Sequence, residues 1–390
     1  MIAVTLIDDK PLQILNDVYN RALSELEKNE GEEFLKELPA NVRNWIMQIG
    51  ERPEKHKAIV AVLATLLTKK VEDPKQDIRY HRTELEGGFA ARSYDTRYVT
   101  PFIKEKFGTK FAMKESGWLT RSFEKPEPYL LNYAGKIRPK ELKNTFLYII
   151  DDVQREGSAE VAEKYLTGLF ILLLRRKKEL DTLATKKVRI TIDKKVPLKL
   201  ILECLNEHLR GPTPSRLPVI AVYSAYKVLL EEVTRYKGKK LKPLRTHVSP
   251  DQYAGLGDVE VIDEEGNYFE VVEVKYNKPI DLGMVIDIYG KLEGVIVNRY
   301  YLLTTADPYI IKADQENINM WVRKIREERG CELVINGVIP TIQYYLRLME
   351  DATKYINAYT NTLQEEFQKR AEITEDHVKG WLGIISKFIS

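Results

Sequence analysis

Cysteine is almost absent: the 390 residues hold two, Cys204 and Cys331. They lie too far apart in the chain to build a disulfide framework or a zinc ribbon, and they suit a reducing compartment. Long apolar runs are also missing. The longest, Leu169 to Leu174, meets Arg175-Arg176-Lys177-Lys178 and falls far short of the roughly 20 residues that cross a membrane. The N-terminus, Met1 to Ile7 followed by Asp8 and Asp9, has neither the basic head nor the apolar length of a signal peptide. These absences predict a cytoplasmic protein with no membrane partner. His56, His81, His208, His247 and His377 are scattered, with no His-x3-His or Cys-x2-Cys spacing, so no zinc site is signalled. A Gly-x4-Gly-Lys-Ser/Thr loop and a Gly-x-Ser-x-Gly elbow are absent too, which argues against ATP-driven chemistry and serine hydrolase chemistry. An excess of one charge is lacking: 61 Lys and Arg face 58 Asp and Glu, so net charge alone names no partner.

What is present is enough apolar and aromatic sequence, 44% and 9%, to bury more than one core at this length. The first 80 residues carry helical periodicity, as in Leu12, Leu15, Val18 and again Ile59 to Leu67. Residues 81–140 are punctuated by Gly and Pro and read as loops over a scaffold. Helices resume at Lys140 to Arg155 and from Ala159 to about Leu183, with Gly157-Ser158 as break and cap. Beyond residue 185 the texture becomes α/β. Val188 to Ile192 reads as a strand, Pro197 opens a helix to about Leu209, and Gly211 to Pro214 is a loop. A long helix from Leu217 to Tyr236 is followed by a basic linker. Two apolar segments, Asp258 to Asp263 and Tyr268 to Tyr276, are joined by Glu264-Glu265-Gly266-Asn267, which has hairpin chemistry. A helix over Asp281 to Leu292, a strand over Tyr300 to Thr305, a helix over Ile318 to Glu328 and a strand over Glu332 to Ile335 complete the pattern. The division expected is 1–185, helical and loop-rich, and 186–390, α/β.

Charge is patterned even though it is balanced. Arg175 to Arg245 holds 19 Lys/Arg against 7 Asp/Glu, whereas residues 251–277 hold eight acids and one base, Lys275. An acidic hairpin between basic surroundings points to metal chemistry on a polyanion. On its second strand Glu273 and Lys275 share a face, and Val272, Val274 and Tyr276 share the other. A turn centred on Glu265-Gly266 places Asp258 directly across from Glu273. Opposed carboxylates repel, and a divalent cation is the simplest compensation.

The pattern Asp258…Glu273-Val274-Lys275 resembles the active site of the PD-(D/E)xK nuclease superfamily, with Gly257 where that motif often has proline. The resemblance implies an α/β nuclease core, a mixed α-β-β-β-α-β sheet, in 186–390, and a helical DNA-recognition region in 1–185. It implies that Asp258, Glu273 and the Val274 carbonyl bind Mg²⁺, with one or two ions, and that Lys275 orients or activates the attacking water. Within the superfamily the chain looks most similar to SacI-like type II restriction endonucleases. That likeness lies in Gly257 to Val261, Val272 to Lys275, the preceding helix around Leu230 to Arg235, and more loosely Arg92 to Phe102. Members often carry a further acid on that helix; Glu231 is the nominee, with its neighbour Glu232 as the alternative.

For recognition, Arg92, Arg97 and Arg121, set among loop-formers and aromatics, are candidates for base contacts. Lys136 and Arg138, and the run Arg235, Lys237, Lys239, Lys240, Lys242, suit phosphate contacts. The function expected is Mg²⁺-dependent cleavage of double-stranded DNA at a short specific sequence. The resemblance adds a homodimer, two active sites for two strands, and a cognate DNA methyltransferase in the same system. A structure-specific repair or junction-resolving nuclease and a catalytically inactive DNA-binding module stand as alternatives.

Overall fold

The computed structural model describes residues 10–119, 123–185, 195–210, 216–244, 255–370 and 372–389. The expected strand Val188 to Ile192, the Gly211 to Pro214 loop, Arg121 and His247 lie outside them. The chain divides into two compact units, Met1–Leu183 and Ala184–Ser390.

The first unit is helical: α1 (Lys10–Glu27), α2 (Glu32–Glu37), α3 (Ala40–Gly50), α4 (Lys57–Glu72), α5 (Ala91–Tyr94), α6 (Thr100–Lys106), α7 (Lys140–Glu156) and α8 (Ala159–Thr185). Helix α4 is buried on every side from Ile59 to Thr68, as a helix apolar all round must be. Helix α7 ends where Gly157 takes a left-handed φ of 67°, and the Ser158 hydroxyl accepts from the Glu160 N–H, the expected break and cap. Between α4 and α7 helices do occur, but they are short, and buried polar groups fix the intervening loops. Asp95 accepts from the Thr100 and Ser116 hydroxyls and the Gly117 N–H. Tyr129 accepts from Trp118 Nε1 and donates to the Phe123 carbonyl, while the His81 ring stacks on it at 4.0 Å.

The second unit is a mixed α/β structure. It runs α9 (Leu198–Arg210), α10 (Arg216–Glu232), β1 (Lys240–Leu241), β2 (Val259–Ile262), β3 (Tyr268–Lys275), α11 (Leu282–Lys291), β4 (Val297–Thr304), α12 (Gln315–Arg329), β5 (Glu332–Gly337), α13 (Val338–Leu348), α14 (Thr353–Lys369) and α15 (Glu375–Ile389). The sheet order is β1-β2-β3-β4-β5; β1, β2 and β3 are antiparallel neighbours, and β4 and β5 join in parallel.

Val271 of β3 faces α11 and α12, where it forms one core with Tyr300, Leu302, Leu333, Met284, Val285, Ile288, Ile318 and Ile325. The opposite face meets α10 and α13 through Tyr226, Tyr301 and Tyr345. Cover on both sides explains why Tyr300 to Leu303 reads as an unbroken apolar run. The Val272 face of β3 is not purely apolar. Glu270 lies on it, fully buried, accepting from the Tyr226 and Tyr236 hydroxyls and from Arg235.

The short β1 falls inside the segment expected as a basic linker. Lys240 and Leu241 pair with Ile262 and Val261, and a two-residue strand of one lysine and one leucine has no alternation to recognise. The hairpin turn is held by Asp263, whose Oδ1 accepts from the Glu265 and Asn267 N–H groups, and by Gly266 at φ 90°. A register shift between Val261 and Ile262 absorbs the turn.

Candidate functional site

Pairing of Val259 with Val272 brings Asp258, the residue just before β2, alongside Val272 to Val274 of β3. The Asp258 N–H donates to the Val272 carbonyl at 2.8 Å, and its Oδ2 accepts from the Val274 N–H at 2.8 Å. The N–H and C=O of a strand residue point to the same edge, so the Val274 carbonyl faces the Asp258 side as well. Gly257 has a steric reason. A Cβ there would lie 2.6 Å from Val271 Cγ1 and 2.7 Å from the Val272 carbonyl oxygen, so the proline frequent in the resembled motif has no room.

Glu273 collects three donors from three elements. Lys275 Nζ lies 2.5 Å from Oε1; Lys291 Nζ, at the end of α11, lies 2.7 Å from Oε2; and the Tyr300 hydroxyl of β4 lies 2.7 Å from Oε2. That hydroxyl is also 2.5 Å from the Leu256 carbonyl oxygen, so one proton serves two acceptors and ties the segment before β2 to the carboxylate. Asp258, Glu273, Val274, Lys275 and Lys291 line a cavity of about 290 Å³ with Arg216, Val219, Gly255, Leu256 and Gly257.

The two carboxyls titrate in opposite directions. Burial pushes Asp258 up, and the negative charge of Glu273 adds to that, against the Val274 N–H and the charges of Arg216 and Lys275. Burial would raise Glu273 too, but the Lys291 charge and the hydrogen bonds from Lys275, Lys291 and Tyr300 outweigh it and hold the carboxyl at about 2. One acid is firmly ionised beside another whose charge is disfavoured, an imbalance that an added cation relieves.

Among the described residues no group of three or more His, Cys, Asp and Glu side chains is arranged to hold a metal ion. The donor set here is smaller: two carboxylates and one backbone carbonyl, all hard oxygen. That is too few for an all-protein calcium cage, but it fits Mg²⁺, which keeps several waters and takes one or two carboxylates along with substrate phosphate oxygens.

Asp258, Glu273, Val274 and Lys275 are thus brought together, and Glu231 is not. It is exposed on the last turn of α10, whereas the cavity is lined by that helix's first turn, about 22 Å away at 1.5 Å per residue. Glu232 is engaged elsewhere, accepting from Lys354 Nζ at 2.5 Å and from the Glu350 N–H at 2.9 Å. The helix after which these acids were sought is present; it points its other end at the site.

The basic run before the hairpin is largely consumed within the unit. Arg235 pairs with Glu270 at 2.8 Å, Lys242 with Glu260 at 3.3 Å, and Lys239 sits 4.9 Å over the Phe269 ring. Much of the hairpin's acidity is therefore neutralised internally, and the phosphate-contact expectation is weakened for Arg235 and Lys242. In the first unit Arg92 is exposed, 3.3 Å from Glu124, at a cavity of about 420 Å³ that Trp118 and Phe123 also line. Arg97 lies over the Tyr98 ring, and Lys136 and Arg138 are exposed.

Sequence reasoning missed Lys291 and Arg216, which reach the cavity from α11 and α10, and Tyr300, which reaches Glu273 from β4. Lys291 follows Glu273 by eighteen residues across a strand end and a helix, a separation with no periodic signature. The sequence matches no protein-family model and no curated protein.

Proposed function

We propose that the second unit is a Mg²⁺-dependent phosphodiesterase of the PD-(D/E)xK type, and that the chain is a site-specific endonuclease for double-stranded DNA like the type II restriction enzymes it resembles. The observation that carries this reading is the convergence of Asp258, Glu273 and Lys275 on one cavity at the open end of the β2–β3 hairpin. The order α10-β1-β2-β3-α11-β4 around them supports it, being the α-β-β-β-α-β arrangement that the resemblance implied.

Asp258, Glu273 and the Val274 carbonyl would hold Mg²⁺, which when bound polarises the scissile phosphate and lowers the pKa of its water. Tyr300 fixes the orientation of the Glu273 carboxylate. Lys275 stands beside that carboxylate with a donor-rich ammonium, suited to orienting the attacking water on the phosphorus. The exposed arginines of the first unit, Arg92 and Arg97, with Arg121, are the proposed base readers; Lys136 and Arg138 set position on the phosphates. A homodimer gives one active site for each strand, and a methyltransferase of the same system protects the host's sites.

The test is incubation of the purified chain with unmethylated phage DNA in Mg²⁺ and, separately, in EDTA, followed by sequencing of the ends. Discrete Mg²⁺-dependent fragments sharing an end sequence are expected. Cleavage confined to branched or damaged DNA would replace this reading with a structure-specific nuclease. Binding without cleavage in any metal would replace it with an inactive DNA-binding module.

A further inference from the structure

With Lys291 engaged on Glu273, Asp258, Glu273 and Lys275 leave one charged group of the cavity wall without a role. Arg216, the first residue of α10, is only 3% exposed, yet it lines the same cavity. It is gripped from behind. Its Nε and Nη2 donate to Glu366 Oε2 of α14 at 3.2 and 3.1 Å, and Glu366 is itself buried. Arg370 pairs with the same carboxylate oxygen and donates to the Leu244 carbonyl. One buried carboxylate is shared between two guanidinia, and the pairing fixes Arg216 in place.

Packing alone does not call for this residue. Its neighbours Leu217, Val219 and Ile220 are buried apolar side chains, and a buried ion pair is on average no more stabilising than apolar residues of similar volume. What the arginine adds is a planar cation whose Nε and Nη2 fork on Glu366 holds it in one orientation at the wall of a polar cavity, a placement suited to phosphate oxygens. Its charge reaches the cavity, acting on Asp258 across from it.

We propose that Arg216 is a phosphate-binding residue, its guanidinium oriented by Glu366 to receive a non-bridging oxygen of the phosphodiester on which Asp258, Glu273 and Lys275 act. The identity of that phosphodiester rests on the nuclease reading; the affinity of this wall of the cavity for a phosphate group does not.

The experiment uses the full chain in EDTA, with a 5′-phosphorylated dithymidine and its unphosphorylated counterpart as probes, titrated by calorimetry. Wild type is expected to bind the phosphorylated probe at least tenfold more tightly. Arg216→Gln should abolish that preference, and Arg216→Lys, which keeps the charge but not the fork, should lose most of it. Glu366 retains Arg370 as a partner in both variants, so neither leaves a bare buried carboxylate, and circular dichroism verifies the fold. The proposal is overturned if wild type shows no preference, or if a folded Arg216 variant keeps it. Mg²⁺-dependent DNA cleavage by the same preparations separates the two readings. Phosphate preference through Arg216 with no cleavage keeps the phosphate site and sinks the nuclease; cleavage at an unchanged rate in both Arg216 variants keeps the nuclease and sinks the phosphate site.

Discussion

Glu273 takes hydrogen bonds from side chains of β3, α11 and β4, so its carboxylate is placed before any ligand arrives. Placement of that kind is what lets a site act without reorganising. Glu273→Gln removes the charge while keeping the shape, and Mg²⁺-dependent cleavage is expected to fall by on the order of a thousandfold or more, with DNA affinity in a gel shift unchanged. Tyr300 would act on a bound Mg²⁺ only through Glu273, to which its hydroxyl donates. Tyr300→Phe should therefore raise the Mg²⁺ concentration for half-maximal cleavage about tenfold, as loss of a supporting hydrogen bond to a ligand does, while the rate at saturating Mg²⁺ changes little. A purely structural role for the hydroxyl would instead lower the melting temperature and leave the Mg²⁺ dependence as it was. The Glu-x-Lys spacing of Glu273 and Lys275 was legible in the sequence because a strand has period two. Lys291 and Tyr300 were not, because no local period connects them to it.

Within the β2–β3 hairpin, two features hold the elements in register. Gly257 lets the segment before β2 pass against β3, with space for a Cβ denied by Val271 and the Val272 carbonyl. Gly257→Ala is expected to cost about 1–3 kcal/mol in urea unfolding through overpacking, and to lower cleavage by displacing Asp258. On the other face, Glu270 joins β3 to α10 and the turn after it through Tyr226, Tyr236 and Arg235. With every partner in place the buried charge is tolerated; Glu270→Ala deprives two buried tyrosine hydroxyls of their acceptor, while Arg235, 39% exposed, turns to solvent. The substitution should cost about 1–3 kcal/mol, read as a fall in the urea midpoint. The hairpin itself was legible from its turn residues and alternating strands, and its two carboxylates were expected to oppose. The burial of Glu270 was not, since alternation tells which residues share a face and not which helix covers it.

Each of the two units buries a histidine that burial pushes down to about 4: His81 in the first, His208 in the second. His208 donates from Nε2 to the His377 carbonyl and accepts the Tyr359 hydroxyl on Nδ1, a neutral imidazole wedged between α9, α14 and α15. Because the folded pKa lies below the ordinary value of 6.5, the unfolded chain takes up the proton first. The stability is complete above about pH 6.5 and lost as pH falls from there to about 4. Each histidine thus contributes up to about 3 kcal/mol of acid sensitivity to its own unit. Chemical unfolding followed across pH 7 to 4 should show a shallower loss in His208→Gln for the second unit and in His81→Phe for the first; slopes equal to wild type would contradict the assignment. No described helix is long and apolar enough to cross a membrane, in keeping with the short apolar runs of the sequence.

The sequence by itself determined the elements whose signal is local. Amphipathic periodicity, Gly157 after α7, the Asp263-to-Asn267 turn and the unbroken apolar run of β4 are each fixed by steric and hydrogen-bonding rules acting within a few residues. For the same reason it determined that Asp258, Glu273 and Lys275 share one face of one hairpin. Only the tertiary structure decided what closes on them. It brought Lys291 and Tyr300 to Glu273, buried Arg216 against Glu366, turned the Glu231 end of α10 away from the cavity, and spent Arg235 and Lys242 on the hairpin's own acids. Those outcomes depend on how helices and strands distant in the chain stack over both faces of the sheet, and burial, which decides both the charge and the partner of each of these groups, is a property of that stacking.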